Sequence, residues 1–316
     1  MPSIFNVATL DEHYGHRYVV VTDTKDVTMP PTPSPNPSPG IELVRDFSLE
    51  MTGKDNAALA EATGAVPPGT RINVTFLGNE NLSMRLAAAV AVRAAGFEPI
   101  PHISARRLAS VAELDEFLQA LTGDARVHEV FAVGGDPASP LGPFPDALSL
   151  ITSGRLQAHG ISAVAIGGYP EGHPDIDEAT LWEAMEAKSK ALQEAGLDGS
   201  IITQFGFDTA PVLSWLQELR RRGIWYPVRI GVPGPAGIKR LLTYARRFGV
   251  SSSAGIAHKY GFSLANLLGT AGPDRFITDL AAALDPAVHG EVGLHFYTFG
   301  GLQATAHWVA EFEAGP

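Results

Sequence analysis

Apolar and polar positions follow two recurring patterns from residue 41 onward. Short apolar runs, typical of strands buried on both faces, alternate with longer segments in which apolar residues recur at helical spacing. The predicted strands are 43–50, 71–77, 97–103, 128–134, 161–167, 200–206, 227–232 and 292–299. The predicted helices are 54–64, 82–95, 111–122, 144–153, 177–195, 209–222, 235–248 and 302–313. Eight strand–helix units with short connections predict an α/β fold, a (β/α)8 TIM barrel.

Two segments fall outside this repeat. Residues 1–40 end in a proline-rich run that can form neither a helix nor an interior strand, and we expect a flexible N-terminal extension there. Extra helices are predicted before the last strand, at Phe262–Leu268 and Asp274–Leu284. Residues 41–316 are therefore predicted to be a single barrel domain. A doubly wound open sheet is the alternative, but its dinucleotide-binding fingerprint is missing from the first strand–helix turn.

Composition narrows the function classes. The chain has 316 residues, of which 45% are hydrophobic and 18% charged, as expected of a folded protein. Its formal net charge of −11 argues against a nucleic-acid partner, because phosphate binding needs a concentrated basic face. The absence of cysteine excludes disulfides, thiolate chemistry and cysteine-based zinc sites. No apolar run approaches the ~20 residues of a membrane span, so we expect a cytoplasmic protein without a membrane partner.

Polar side chains stand at the ends of the predicted strands, where α/β barrels bind their ligands. They are Glu50, Thr75, His102, Asp136, Tyr169, Gln204 and, at the last strand, Tyr297 with Thr298. Each also has a structural interpretation: an acid can cap a helix, a histidine can be a hydrogen-bonded core residue, and an aspartate can organise a turn. Gly134 and Gly135 permit a flat ligand to approach the backbone, but no Gly-Lys-Ser/Thr follows to make a phosphate loop.

A metal centre is an alternative interpretation of the same residues. His102, His173 and His295, together with Glu50 and Asp136, could surround a divalent ion and make the chain a metal-dependent barrel hydrolase or lyase. No His-x-His pair on the first strand and no His-Glu-x-x-His helix supports that interpretation, and we expect no metal. A serine nucleophile also lacks support, since the chain has no Gly-x-Ser-x-Gly motif.

Three motifs carry a resemblance. They are Ile202-Thr203-Gln204-Phe205-Gly206-Phe207-Asp208, Tyr169-Pro170-Glu171-Gly172-His173-Pro174 and His295-Phe296-Tyr297-Thr298. Together they resemble the 5,10-methylenetetrahydrofolate reductase family, over about residues 44–313. The resemblance implies an eight-stranded α/β barrel that holds FAD at the carboxyl ends of its strands. It also implies interconversion of 5,10-methylenetetrahydrofolate and 5-methyltetrahydrofolate in one-carbon metabolism, with NAD(P)H as co-substrate, in a direction that the sequence leaves open. Homo-oligomerisation is a further family-level expectation.

The resemblance also implies roles for individual residues. Glu50 would be the general acid that helps to open the five-membered ring of the folate, and Asp136 would lie close to the flavin and the pterin. The FAD-contacting positions would be Thr75, His102, Gly134, Gly135, Asp136, Tyr169 and His173. Substrate would contact Gln204, Tyr244 and Arg240.

The chain departs from the family pattern at charged positions. The family's Arg-Gly-Asp is Gly134-Gly135-Asp136 here, and a folate-binding arginine after the last strand becomes Gly301. Lys239 or Arg240 could supply a positive charge for a folate carboxylate. A flavin- or folate-binding protein that has lost turnover is therefore a third hypothesis.

Overall fold

A closed barrel of parallel strands forms the centre of the molecule. The structure, a computed structural model, describes residues 39–247 and 270–315. The barrel strands are β1 Phe47–Met51, β2 Arg71–Val74, β3 Glu98–Ser104, β4 Glu129–Val133, β5 Ala163–Gly168, β6 Asp198–Phe205, β7 Val228–Pro233 and β8 Val292–Tyr297. Each strand pairs in parallel with its neighbours in sequence, and β8 pairs with both β7 and β1. The predicted TIM barrel is confirmed.

Helices surround the barrel and follow the strands in the predicted order. They are α1 Pro39–Arg45, α2 Asn56–Ala62, α3 Leu82–Ala94, α4 Val111–Asp124, α5 Ala147–Thr152, α6 Arg155–Ala158, α7 Glu178–Glu194, α8 Thr209–Arg221, α9 Ile238–Arg247, α10 Asp274–Ala283, α11 Pro286–His289 and α12 Leu302–Ala314. A single 3-10 turn, Ala105–Arg107, follows β3. Two-residue strands, Ala236–Gly237 and Thr270–Ala271, pair antiparallel after β7. Of the helices described, none is long and apolar enough to cross a membrane.

Several predicted boundaries need correction. The first predicted strand began at residue 43, but that residue lies in helix α1 and the strand begins at Phe47. The second strand ends at Val74 rather than 77, and the last ends at Tyr297 rather than 299. The extra helix at Asp274 is confirmed as α10, whereas the one at Phe262–Leu268 lies outside the described residues. Residues 1–38 lie outside them as well, so the division at residue 40 stays a prediction.

Side chains at the strand ends are placed by short caps that the sequence encodes. The Asp208 carboxylate accepts a hydrogen bond from the backbone N–H of Ala210 and starts α8 directly after β6. In the same way, Asn81 accepts from Met84 N–H at the start of α3. Such caps satisfy backbone donors that a helix start leaves without partners. They keep the connections short, so the strand ends stay close to the barrel mouth.

The barrel interior has an apolar half and a polar half. Alternate residues along each strand point inward, and those of β3 to β6 form the cluster Ile100, Phe131, Ala165 and Ile202. The inward residues of β1, β2 and β8 are instead Ser48, Asn73 and His295, and all three are buried. The larger core lies between the strands and the helices, where Leu49 and Phe296 pack. The polar half of the interior lies below Glu50.

Candidate active site

Glu50 lies near the carboxyl end of β1 between two histidine rings. Its Oε2 atom is 3.5 Å from Nε2 of His295 and 3.9 Å from Nε2 of His102. The Glu50 side chain is 19% exposed, whereas that of His295 is fully buried. Neither ring Nε2 makes a hydrogen bond within residues 39–247 and 270–315. Two buried, unpartnered imidazole nitrogens are therefore aimed at one carboxylate oxygen that solvent or a ligand can reach.

The contacts of the other His295 ring nitrogen indicate where its proton lies. Nδ1 is 2.9 Å from the Ser48 hydroxyl oxygen and 3.2 Å from the Asn73 amide nitrogen. An amide nitrogen can only donate, so with this amide orientation Nδ1 acts as the acceptor. In that tautomer the ring proton would lie on Nε2, the nitrogen that faces Glu50. Ser48 and Asn73 fix the histidine's orientation from the barrel floor.

His102 is neutral at physiological pH. Burial lowers the pKa of His102 to about 4, against a smaller raising effect of the Glu50 carboxylate. The ring packs edge-on against Phe131, with the ring centroids 4.7 Å apart. The backbone carbonyl of His102 accepts a hydrogen bond from Arg85 Nη2 at 2.5 Å. A neutral, rigidly held imidazole therefore lies beside the acid.

The end of β8 is tied to two other strands. The Tyr297 hydroxyl donates to the carbonyl of Thr203 at 3.1 Å, and the Thr298 hydroxyl donates to the carbonyl of Glu50 at 2.6 Å. Burial, followed by the nearby Glu50 charge, raises the pKa of Tyr297 well above its usual range. Tyr297 therefore remains a neutral donor, and β1, β6 and β8 are held in register around the mouth.

The structure gives Asp136 a partner that the sequence did not suggest. Nε and Nη2 of Arg107 donate to the two Asp136 carboxylate oxygens at 2.8 and 2.7 Å, and the Asp136 side chain is 72% exposed. Arg107 also lies over the ring of Phe76, 4.9 Å from its centroid. A Cβ added at Gly134 would meet no atom within 4 Å, so the backbone beside this pair is open. Asp136 thus belongs to an Arg107 pair rather than to the contacts around Glu50.

The loop after β5 brings the rings of Tyr169 and His173 together. Their rings meet edge to face with centroids 5.3 Å apart, and burial raises the pKa of Tyr169. His173 Nδ1 accepts a hydrogen bond from the backbone N–H of Asp175 at 3.1 Å. Thr75, directly after β2, continues the strand ladder by donating its N–H to the carbonyl of Met51 at 2.8 Å. These residues lie at the carboxyl ends of β2 and β5.

Of the three predicted substrate residues, Gln204 lies near the carboxyl end of β6, and Arg240 and Tyr244 lie in α9 after β7. Gln204 is half-buried, and its Oε1 accepts from the backbone N–H of Phe205 at 3.1 Å. Tyr244 stacks on Phe299 with ring centroids 4.0 Å apart and planes 7° apart. Arg240 donates to the carbonyl of Phe299 at 2.7 Å. Lys239 and Arg240 both line a cavity of about 680 Å³ beside α12.

The residues at the ends of β3 and β4 offer contacts that fit a flat, anionic cofactor such as a flavin. Open backbone at Gly134, the unpartnered Nε2 of buried His102 and the cationic Arg107 offer a flat ligand contact surface, a hydrogen-bonding group and a positive charge. In the described ranges, no group of three or more His, Asp or Glu side chains could hold a metal ion. The metal-dependent hydrolase or lyase therefore gains no support from these residues.

Comparison with known proteins adds family membership to this geometry. An α/β barrel with an acidic side chain and further polar side chains at the carboxyl ends of its strands has the architecture of a TIM-barrel enzyme. The family model described as methylenetetrahydrofolate reductase matches residues 61–307. That match covers most of the chain, and the chain belongs to the methylenetetrahydrofolate reductase family.

Individual relatives agree with that assignment. A probable methylenetetrahydrofolate reductase (NADH) of Oryza sativa subsp. japonica is 29% identical over 165 residues, which are 48% of this chain and 27% of the relative. Methylenetetrahydrofolate reductase (NADH) 1 of Arabidopsis thaliana is 27% identical over 230 residues, 67% of this chain and 34% of its own. The chain thus spans about a third or less of these relatives.

Dihydropteroate synthase from Thermus thermophilus aligns structurally over 87% of this chain and 96% of its own, with a TM-score of 0.45 and 17% identity.

Proposed function

We propose that the chain is a flavin-dependent oxidoreductase that interconverts 5,10-methylenetetrahydrofolate and 5-methyltetrahydrofolate with NADH. One observation carries the proposal: in a chain of this family, Glu50 presents a carboxylate at the barrel mouth with His102 and His295 aimed at it. NADH is the first donor to test, because the related plant reductases are named as NADH enzymes.

FAD would be held by the ends of β2 to β5. Thr75, His102, the Gly134–Gly135 backbone, Tyr169 and His173 would contact it, and the Arg107–Asp136 pair would lie beside it. When bound, FAD supplies the two-electron transfer between NADH and the folate. The neutral His102 ring offers its Nε2 without bringing a second charge next to Glu50.

Glu50 would hold the proton that a folate nitrogen takes up as the five-membered ring opens. General acid catalysis requires a carboxyl group within hydrogen-bonding reach of the reacting atom. His295 limits the freedom of that carboxyl, because its own orientation is fixed by Ser48 and Asn73. The Thr298 hydroxyl fixes the backbone of Glu50 by donating to its carbonyl oxygen. The surrounding contacts therefore support an acid in a defined position.

The folate would extend from the end of β6 toward α9. Gln204 is suited to the pterin, since an amide matches its alternating donors and acceptors. The stacked Tyr244–Phe299 pair offers an aromatic wall, and Arg240 beside it offers a charge for a carboxylate. Tyr297, whose pKa burial raises well above its usual range, lies beside this wall with its ring centroid 5.9 Å from that of Phe299.

Separate measurement of the two half-reactions tests the proposal. The purified protein should be yellow, NADH should bleach its flavin absorbance in the absence of oxygen, and methylenetetrahydrofolate should restore it. Binding of flavin and folate without bleaching would identify a binding protein that has lost turnover. A stoichiometric divalent ion without flavin would instead favour the hydrolase or lyase alternative.

A further inference from the structure

The carboxylate of Glu171 connects the loop after β5 to the end of β6. Glu171 Oε1 accepts a hydrogen bond from the backbone N–H of Phe207 at 3.3 Å. Glu171 lies in the same loop as Tyr169 and His173, whereas Phe207 follows Gln204 by three residues. One side chain thus spans the two segments to which the cofactor and the substrate are assigned.

The end of β6 needs such a contact because its strand pairing is irregular. The register between β6 and β7 shifts between Ile202 and Phe205, so the regular ladder is interrupted just before the last residue of the strand, which pairs with Gly231. Three consecutive backbone N–H groups find separate acceptors. Phe205 N–H donates to the Gln204 side chain, Gly206 N–H donates to Gly231 O, and Phe207 N–H donates to Glu171. Of these three acceptors, only Glu171 comes from the loop after β5.

Gly206 makes room for this carboxylate. A Cβ added at Gly206 would lie 2.6 Å from Glu171 Oε1, and the other atom within 4 Å is Cδ of the same side chain. A methyl group there would therefore displace the carboxylate rather than strain the surrounding backbone. Gln204 and Glu171 also line the same small cavity beside Val212. The position of the Glu171 carboxylate therefore depends on the absence of a side chain at Gly206.

We propose that Glu171 is a positioning residue, which holds the end of β6 so that the Gln204 amide faces the folate in a fixed orientation. The part about folate rests on the proposed function, whereas the hydrogen bond to Phe207 does not. Loss of the carboxylate should free the segment 204–207 and weaken recognition of the folate. The proposal gives this segment no role in the reaction between NADH and flavin, so that half-reaction should be preserved.

The first test compares Glu171→Ala with Glu171→Gln in the full chain. Glu171→Ala should raise the KM for methylenetetrahydrofolate about tenfold, the effect of losing one hydrogen bond to a charged group. The rate of flavin reduction by NADH should stay within about twofold of the original. Glu171→Gln keeps an acceptor oxygen for Phe207 and should remain close to the unmodified chain. Glu178→Ala, which removes an exposed carboxylate at the start of α7, is the matched control.

Hydrogen exchange provides a readout that does not depend on activity. Amide exchange of a peptide covering 204–208 should be faster in Glu171→Ala and unchanged in Glu171→Gln and Glu178→Ala. If the unmodified chain shows no folate turnover, the proposed function fails while this measurement still decides the structural role of Glu171. Unchanged exchange in Glu171→Ala would overturn the proposal, and so would an equal loss in both half-reactions.

Gly206 supplies the decisive cross-check. Gly206→Ala should reproduce the folate KM and the faster exchange of Glu171→Ala, because the added methyl group displaces the same carboxylate. The double variant should be no worse than either single variant, since the atom that clashes has been removed. Additive losses would mean that the two residues act independently and would contradict the positioning role.

Discussion

The Nε2 atom of His295 lies 3.5 Å from the Oε2 atom of Glu50, although the two residues are 245 positions apart in the chain. Pairing of β1 with β8 closes the barrel and brings them together, with Ser48 opposite His295 in the strand register. Closure of the sheet therefore completes the site as well as the fold. A variant that loosens the β1–β8 seam would damage both.

Replacement of the Glu50 carboxyl group should slow the reaction with folate without slowing flavin reduction by NADH. Glu50→Gln keeps the shape of the side chain but cannot donate a carboxyl proton. We expect folate turnover to fall by about 10²- to 10⁴-fold, the usual contribution of a general acid, with flavin reduction by NADH nearly intact. Anaerobic stopped-flow measurements of each half-reaction check this, and an equal loss in both would exclude the role of Glu50 as an acid.

Burial of His102 should make stability depend on pH. The folded-state pKa of about 4 lies below the ordinary value of 6.5, so the unfolded chain takes up this proton first as the pH falls. The stabilisation from a neutral His102 is complete above pH 6.5 and is lost as the pH falls toward 4, by about 3 kcal/mol in total. Urea unfolding between pH 7.5 and pH 5 should show a smaller pH dependence for His102→Gln than for the unmodified chain. Identical slopes would contradict neutral burial.

Loss of Arg107 should weaken the retention of flavin more than it weakens the fold. Asp136 is 72% exposed, so its ion pair contributes at most about 1 kcal/mol to stability. Arg107→Ala should leave the unfolding midpoint close to its original value and reduce flavin affinity about three- to tenfold. Arg107→Lys should recover only part of that affinity, because an ammonium group cannot form the bidentate pair. Flavin titration monitored by absorbance measures the effect. Equal flavin affinities in all three chains would show that Arg107 does not contribute to flavin binding.

Gly300 should be indispensable for the connection after β8. A Cβ added there would lie 1.8 Å from the backbone oxygen of Pro235, which cannot move without disturbing the β7–α9 connection. Gly300→Ala is expected to lower the free energy of unfolding by about 1–3 kcal/mol. Gly123→Ala in α4, where a Cβ would meet nothing within 4 Å, is the matched control and should be neutral or slightly stabilising. Equal unfolding curves for the two variants would show that this connection adapts.

Much of the fold could be predicted because both hydrophobic periods are strong in this chain. The exception at residue 43 is instructive. Ile41, Leu43 and Val44 make a short apolar run that suits a strand or a buried helix equally well, and packing of α1 against α10 and α12 decides for the helix. Periodicity within one segment carries no information about a neighbour that follows much later in the chain.

The candidate site could be predicted in part, for a different physical reason. A strand end marks where a side chain can face a ligand, and this rule selects Glu50, His102 and Gln204 as candidates. It could not find Arg107, which follows the third strand in a 3-10 turn and reaches Asp136 across 29 residues. The only available signal was the pair Arg106-Arg107 close to a strand end. Ser48 and Asn73 were missed because a buried polar residue within a strand resembles an ordinary interruption of its apolar pattern.

The division of the barrel interior into an apolar and a polar side has a consequence for the orientation of a flat ligand. Four apolar side chains, from Ile100 round to Ile202, cover the floor on one side, and the Ser48–Asn73–His295 group covers the other. A flat ligand laid across the mouth with its polar edge over the apolar side would leave donors and acceptors without partners. Rotated by half a turn, it meets the imidazoles and the acid. The floor therefore favours one of the two in-plane orientations of a flat ligand, the one that places its polar edge over the Ser48–Asn73–His295 group.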